Sequence, residues 1–119
     1  MRLNLLVIRT EKPETLKSQY EKLGFEFEYH KHGNGPLHFA SEINNFVFEI
    51  YPLSKTADKV NNSLRLGFEI ENLELKIENL KDSNWKILSQ PTKTEWGIIS
   101  IVQDLDGRKI ELKNKEHAT

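Results

Sequence analysis

The feature of this sequence that most constrains its fold is an internal repeat. One order of predicted elements, β-α-β-β-β, occurs in both halves of the chain. The spacing repeats with the order, since 45 positions separate Asn4 from Glu49 and 46 positions separate Arg65 from Glu111. Self-similarity of this kind indicates two copies of one supersecondary unit.

Strands are predicted where apolar residues alternate or form short runs, and helices where they recur at spacings of three and four. In the first half the predicted helix covers 10–24, and the predicted strands are 3–9, 25–30, 37–43 and 45–52. In the second half the predicted helix covers 71–84, and the predicted strands are 64–70, 85–89, 96–103 and 108–114. Turns are predicted at the Gly-rich stretch 31–36, at 44–45 and at DLDG, residues 104–107.

With 119 residues, the chain is long enough for one two-layer domain and too short for two independent cores. We therefore predict a single domain, with module one over 1–53, a polar linker over 54–63 and module two over 64–119. The expected fold class is α+β. In each module the apolar strand face suits the helix, so we expect a cupped mixed sheet with both helices on its outer face.

Composition argues against several classes of function. The formal net charge is −1 with both signs mixed along the chain, which gives no positive surface for nucleic acid or anionic membranes. No apolar run approaches the roughly 18 to 20 residues that a membrane-spanning helix needs. The chain contains no cysteine, so it has no disulfide, thiolate metal site or cysteine nucleophile, and we expect a cytoplasmic protein.

The strand phases predict a group of polar side chains. Successive side chains point to opposite faces of a strand, so the apolar positions indicate which residues point away from the helix. On this basis Asn4, Glu49, Arg65 and Glu111 share that face, one from the first and one from the last strand of each module. If both sheets curve toward one cavity, these residues form a polar centre in an apolar pocket. The alternative is that both faces are simply solvated.

Several segments match motifs of one known superfamily. Residues 3–25, LNLLVIRTEKPETLKSQYEKLGF, match its opening strand and helix, with Tyr20, Leu23, Gly24 and Phe25 at the places of its FYxxLGF motif. FEIYP matches its fourth strand, LRLGFEI the strand that opens its second module, and QDLDGRKIEL its closing DPDGNxxEL. Over nearly its whole length, the chain thus resembles the vicinal oxygen chelate superfamily of glyoxalase I, bleomycin resistance proteins and extradiol dioxygenases.

The resemblance implies where a metal would bind. Metal-dependent members hold a divalent ion with a His on the first strand and a Glu on the last strand of each module, places that fall on Asn4, Glu49, Arg65 and Glu111. Asparagine still offers a carbonyl oxygen to a hard cation, but arginine has no acceptor and repels the ion. We therefore expect no cofactor and no metal site, because Arg65 disfavours a divalent ion at Glu49 and Glu111.

Arg65 is predicted to face the two glutamates, with which a guanidinium forms bidentate pairs. Two outcomes are open. Either Arg65 is the permanent partner of the glutamates, or it anchors an acidic ligand. The formal charges of two glutamates and one arginine sum to −1, which favours the first outcome and a cationic ligand.

Further candidates lie on or beside the same strands. His38 is either a general base or a hydrogen-bonded residue of the pocket wall. Tyr51 shares the phase of Glu49 and lines the same wall. Trp96 either stacks on a flat or cationic ligand or packs at the rim. His30 and His32 are either a solvated hairpin edge or an adventitious Zn or Ni site. No residue is assigned a catalytic role.

The expected function is metal-free binding and sequestration of an organic small molecule, as in bleomycin resistance proteins. Whether the chain is an enzyme is left open, and the alternative is a metal-dependent lyase, isomerase or dioxygenase of the same superfamily. A third hypothesis is a partner-binding module with a vestigial pocket, in which Arg65 is locked between the two glutamates. The resemblance also implies a homodimer.

Overall fold

The computed structural model describes residues 1–30, 36–54 and 59–117. The chain forms two compact units, Met1–Asn61 and Asn62–Thr119. Each unit has the predicted order of one strand, one helix and three strands, so the α+β class and the two βαβββ modules are confirmed. Among the described residues, no helix is long and apolar enough to cross a membrane.

The first unit is a four-stranded sheet covered by one helix. Its elements are β1 (Leu5–Thr10), α1 (Pro13–Glu21), β2 (Glu28–His30), β3 (His38–Ile43) and β4 (Phe46–Pro52). The strand order is β1-β4-β3-β2, with β1 parallel to β4 and the other pairs antiparallel. The turn between β3 and β4 has positive φ at Asn44 and Asn45, as a two-residue hairpin turn requires.

The second unit repeats this arrangement. Its elements are β5 (Leu66–Ile70), α2 (Leu73–Leu80), β6 (Lys86–Thr94), β7 (Gly97–Gln103) and β8 (Lys109–Asn114). The strand order is β5-β8-β7-β6, again with the first and last strands parallel. In both units the first strand is therefore an edge strand beside the last.

The helices bury the apolar stripes predicted for them but are shorter than predicted. In α1 Leu16 and Tyr20 are buried, as is Leu23 just after the helix, and in α2 the buried stripe is Leu73, Ile77 and Leu80. Pro13, at the first helical position, has the φ that a helix start needs. The α2 N-terminus is capped instead by two asparagines: Asn72 Oδ1 accepts the N–H of Leu75 at 3.3 Å, and Asn114 Oδ1 accepts the N–H of Leu73 at 2.8 Å.

Two strands differ from the prediction. β2 covers only Glu28–His30, because Phe25 and Phe27 turn inward and pack edge-to-face on Phe48 at ring-centroid distances of 5.0 and 6.0 Å. β6 continues past its predicted end at residue 89 and through Pro91. An edge strand tolerates proline, and the pairing with β7 shifts register at this point. Most of the predicted turn at 31–36 and part of the linker lie outside the described residues.

The phase of the first strand is opposite to the prediction. Leu6, Ile8 and Thr10 are the more buried positions of β1, whereas Leu5 and Val7 are exposed. The parallel pairing agrees, since it places Val7 beside Glu49. Asn4 precedes the strand, with its backbone carbonyl accepting the N–H of Val47 at 2.9 Å. The predicted grouping of Asn4 with Glu49 on one strand face is therefore wrong.

A buried ion-pair cluster closes the turn between β7 and β8. The Arg108 side chain is fully buried, and its Nη1 donates to Oδ2 of Asp104 at 3.1 Å and to Oδ2 of Asp106 at 2.9 Å. The other oxygen of Asp104 accepts the backbone N–H groups of Asp106 and Arg108. Burying these charges is tolerated because each has a partner of opposite sign.

We predict that Arg108→Met lowers the free energy of unfolding by about 3–5 kcal/mol, because it leaves two carboxylates without their buried cation. Arg65→Met is the matched control: it removes an exposed arginine, and its effect should stay within about 1 kcal/mol. Urea denaturation of the wild type and both variants measures the difference. Equal stabilities for the two variants would contradict a structural role for the cluster.

Candidate functional site

The candidate site in the first unit lies on the sheet face opposite the helix. One row of side chains crosses all four strands in spatial order: Arg9 on β1, Tyr51 on β4, His38 on β3 and His30 on β2. Glu49 lies on the same face, two residues before Tyr51. The pairing of neighbouring strands thus brings a carboxylate, a phenol, two imidazoles and a guanidinium onto one surface.

The central contact of this face joins His38 and Glu49. Nε2 of His38 lies 2.9 Å from Oε2 of Glu49. The two atoms are close, although the geometry of the contact is not that of an aligned hydrogen bond. The His38 side chain is only 1% exposed and that of Glu49 only 15%. The other ring nitrogen, Nδ1, lies 3.3 Å from the carbonyl oxygen of Pro36.

The Tyr51 ring lies between the side chains of His38 and Arg9. Its ring stacks on the His38 ring, with centroids 4.2 Å apart and planes 6° from parallel. The Arg9 guanidinium carbon lies 5.0 Å from the centroid of the Tyr51 ring, and Arg9 Nη1 donates to the carbonyl oxygen of Pro52 at 3.1 Å. Because β4 lies between β1 and β3, these contacts cover opposite ring faces. The ring faces of Tyr51 are therefore engaged by residues of the first unit itself.

The environment of Tyr51 keeps its phenol protonated. Burial raises the pKa of Tyr51 above its ordinary value of 10.0, the Glu49 carboxylate raises it further, and the Arg9 guanidinium lowers it in part. At neutral pH the hydroxyl is therefore a neutral group that both donates and accepts hydrogen bonds.

In the second unit the corresponding face carries Glu111 with Arg65. The pairing of β5 with β8 places Gly67 beside Glu111. Nη2 of Arg65 lies 3.9 Å from Oε1 of Glu111, and the two side chains are 58% and 41% exposed. An ion pair this long and this exposed is screened by solvent and contributes little. The predicted approach of Arg65 to Glu111 is present, but as a loose contact.

The two modules supply the partner of their glutamate from different sides of the strand that carries it. Val7 lies beside Glu49 and Gly67 beside Glu111, so the first-module counterpart of Arg65 is Leu5. In the first module the partner is instead His38, on the opposite neighbouring strand of β4. Sequence reasoning placed Asn4 at this counterpart position because it read the phase of β1 wrongly. Arg9 was missed for the same reason.

The remaining predicted candidates lie at the edges of the two sheets. Trp96 is in the turn between β6 and β7, and its side chain is largely exposed. Its backbone N–H donates to Oγ1 of Thr94 at 3.1 Å, which fixes the turn. His30 pairs with Glu28 at 3.1 Å on the exposed β2 edge. His32 lies outside the described residues.

The donor set does not fit the four-ligand metal site that the resemblance implies. Glu49 is already in contact with a buried imidazole, and Arg65 has no electron pair to offer a metal. Over residues 1–30, 36–54 and 59–117, no three His, Cys, Asp or Glu side chains are grouped so as to hold an ion. No reaction step that depends on a metal follows from these residues.

We predict that Glu49→Gln lowers the pKa of Tyr51 and that Arg9→Gln raises it, because each change removes one of the charges acting on the phenol. A raised phenol pKa also means that the unfolded chain ionises first, so stability should fall as the pH rises above about 10. Titration of the tyrosine Cζ resonances by ¹³C NMR measures both shifts. A Tyr51 pKa that is the same in both variants and in the wild type would contradict the stated effects of Glu49 and Arg9 on the phenol.

Solved structures with the same fold include proteins of different descriptions. TnmS3, an antibiotic binding protein from Streptomyces sp. CB03234, is 19% identical with a TM-score of 0.75, over 98% of this chain and 97% of that one. The integron cassette protein VCH_CASS1 from the mobile metagenome of V. cholerae is 23% identical with a TM-score of 0.72, over 98% and 96%. A glyoxalase-related enzyme from Fulvimarina pelagi is 13% identical with a TM-score of 0.75, over 97% and 88%.

At these identities the structural similarity shows a shared fold and nothing about the ligand. No curated protein sequence matches the chain. The sequence description of one family, however, matches residues 2–112, which is nearly the whole length. This match confirms the resemblance that the FYxxLGF-like and DLDG segments indicated. The chain belongs to the Glyoxalase/Bleomycin resistance protein/Dioxygenase superfamily.

Proposed function

We propose that this protein binds and sequesters an organic small molecule without a metal ion, in the manner of the bleomycin resistance branch of its superfamily. The observation that carries the proposal is the 2.9 Å contact between His38 and Glu49. A buried carboxylate needs a partner, and here the imidazole of the neighbouring strand supplies it. This contact engages one of the two oxygens of Glu49, and Arg65 has no electron pair to offer at another of the places where the superfamily has a metal ligand.

Each of the two sheet faces, taken by itself, carries polar groups that suit an organic ligand. Tyr51 offers a neutral hydroxyl, and Glu111 offers a carboxylate that is only loosely paired. Leu5, Val7 and Val47 supply apolar surface beside Glu49 on the first sheet. An apolar wall with a few placed polar groups is typical of small-molecule sites. The description of TnmS3 as an antibiotic binding protein is a further reason to test organic compounds first.

The proposal predicts that organic compounds, and not divalent metals, stabilise the purified protein. A thermal-shift panel would combine aromatic cations, their neutral and anionic analogues, Zn²⁺ and Ni²⁺, using protein without a His tag. A compound present at 100 times its Kd should add about 2.7 kcal/mol to the free energy of unfolding.

One control separates adventitious metal binding from a site at Glu49. His30→Gln removes the outermost imidazole of the row, whose ring centroid lies 5.9 Å from that of His38, and keeps both His38 and Glu49. A metal effect that disappears in this variant but persists in Glu49→Gln belongs to the β2 edge. Stabilisation by metals alone that persists in His30→Gln would contradict the proposal and support the alternative, a metal-dependent lyase, isomerase or dioxygenase. Stabilisation by no compound at all would favour a partner-binding module with a vestigial pocket.

A further inference from the structure

Gly67 is the second residue of β5, and its backbone conformation does not require glycine. Of the four glycines that the structure describes, Gly24, Gly97 and Gly107 have positive φ, which disfavours other residues, and Gly67 does not. Glycine weakens a strand interior, because it loses more backbone freedom on folding and has no side chain to pack. Glycine at this position therefore needs another explanation.

Packing does not require glycine at this position either. A Cβ placed on Gly67 would lie 3.9 Å from both the carbonyl oxygen and Oε2 of Glu111. These are ordinary van der Waals distances, so alanine fits without any shift of its neighbours. A glycine that neither conformation nor packing demands often marks a place where a ligand approaches the backbone closely.

The first module shows what the missing side chain changes. There Val7 lies beside Glu49, and the Glu49 side chain is 15% exposed. In the second module Gly67 lies beside Glu111, whose side chain is 41% exposed. Because Gly67 has no side chain, nothing on β5 covers this side of Glu111, whereas Val7 occupies the corresponding position beside Glu49.

We propose that Gly67 and Glu111 together form a recognition site for a cationic nitrogen group of the ligand, such as an amidinium, a guanidinium or a primary ammonium. This inference rests on the proposed function and names the ligand chemistry of that binding site. The ligand cation enters beside Gly67 and donates N–H groups to the Glu111 carboxylate, which pairs most strongly with a planar two-donor group. Arg65 does not prevent this, because its contact with Glu111 is 3.9 Å long and solvent-exposed.

The test uses three ligands of nearly equal shape: benzamidine, a cation; benzamide, which is neutral; and benzoate, an anion. Each is titrated into ¹⁵N-labelled full-length protein, and the amide shifts of Gly67 and Glu111 are followed by NMR. We expect benzamidine to bind at least tenfold more tightly than benzamide, with the largest shifts at these two residues, and benzoate to leave them unchanged.

Substitutions then distinguish the effect of the missing side chain at Gly67 from the effect of the Glu111 charge. Gly67→Val should raise the benzamidine Kd at least tenfold while the melting temperature stays the same or rises, since valine is a good strand residue. Gly67→Ala gives a smaller loss of affinity with less risk to folding. Glu111→Gln should weaken benzamidine to the level of benzamide. The matched control is Thr92→Val, which places valine at an exposed position of the edge strand β6 without a change of charge and should leave the Kd unchanged.

The outcomes distinguish this inference from the proposed function. If benzamidine binds Gly67→Val or Gly67→Ala as tightly as the wild type, or shifts residues around Glu49 instead, the Gly67–Glu111 site is disproved and small-molecule binding stands. The same holds if other aromatic compounds bind and benzamidine does not. If no organic compound binds the wild type, both proposals fail together.

Discussion

The contact between His38 and Glu49 organises the polar side chains on the sheet of the first module. Both side chains are largely buried on the sheet face opposite the helix, so neither is simply solvated. The same imidazole stacks on Tyr51, whose other ring face is covered by Arg9. One side-chain pair thus occupies the carboxylate, fixes the orientation of the phenol and makes this row a packed part of the protein.

The two modules share one backbone topology, but the surroundings of their glutamates differ. Glu49 has a buried partner from β3 and an apolar neighbour at Val7, whereas Glu111 has a loose partner just before β5 and an open side at Gly67. The glutamate of the first module is therefore the more enclosed of the two, and that of the second is the more accessible.

The sequence alone predicted the element order, the buried helix stripes of Leu16 and Leu73, and the match to the superfamily, because these depend on local periodicity and spacing. It failed on β1, where Leu3, Leu5 and Val7 alternate with Leu6 and Ile8. With apolar residues on both faces, periodicity cannot fix the phase, and an error of one residue moves every side chain to the opposite face.

Because of this error in the phase of β1, Asn4 was expected at the place that Leu5 takes, and Arg9 was not expected on this face. The His38–Glu49 contact was beyond reach for a different reason: it joins neighbouring strands, and the sequence does not give their register or the side-chain rotamers. His38 and Tyr51 were both expected on this face, but their stacking on each other was not. Gly67 was not singled out in the sequence, because its importance depends on its position beside Glu111, which only the strand pairing shows.

We propose that the glutamates of this chain are not arranged as metal ligands, and paramagnetic NMR tests this proposal most directly. Mn²⁺ prefers carboxylate oxygens and broadens the amide signals of residues close to it. Added in substoichiometric amounts to ¹⁵N-labelled protein, it should broaden Glu49 and Glu111 no more than exposed helix carboxylates such as Glu14 and Glu74. Selective loss of the Glu49 and Glu111 signals at low Mn²⁺ would contradict the account.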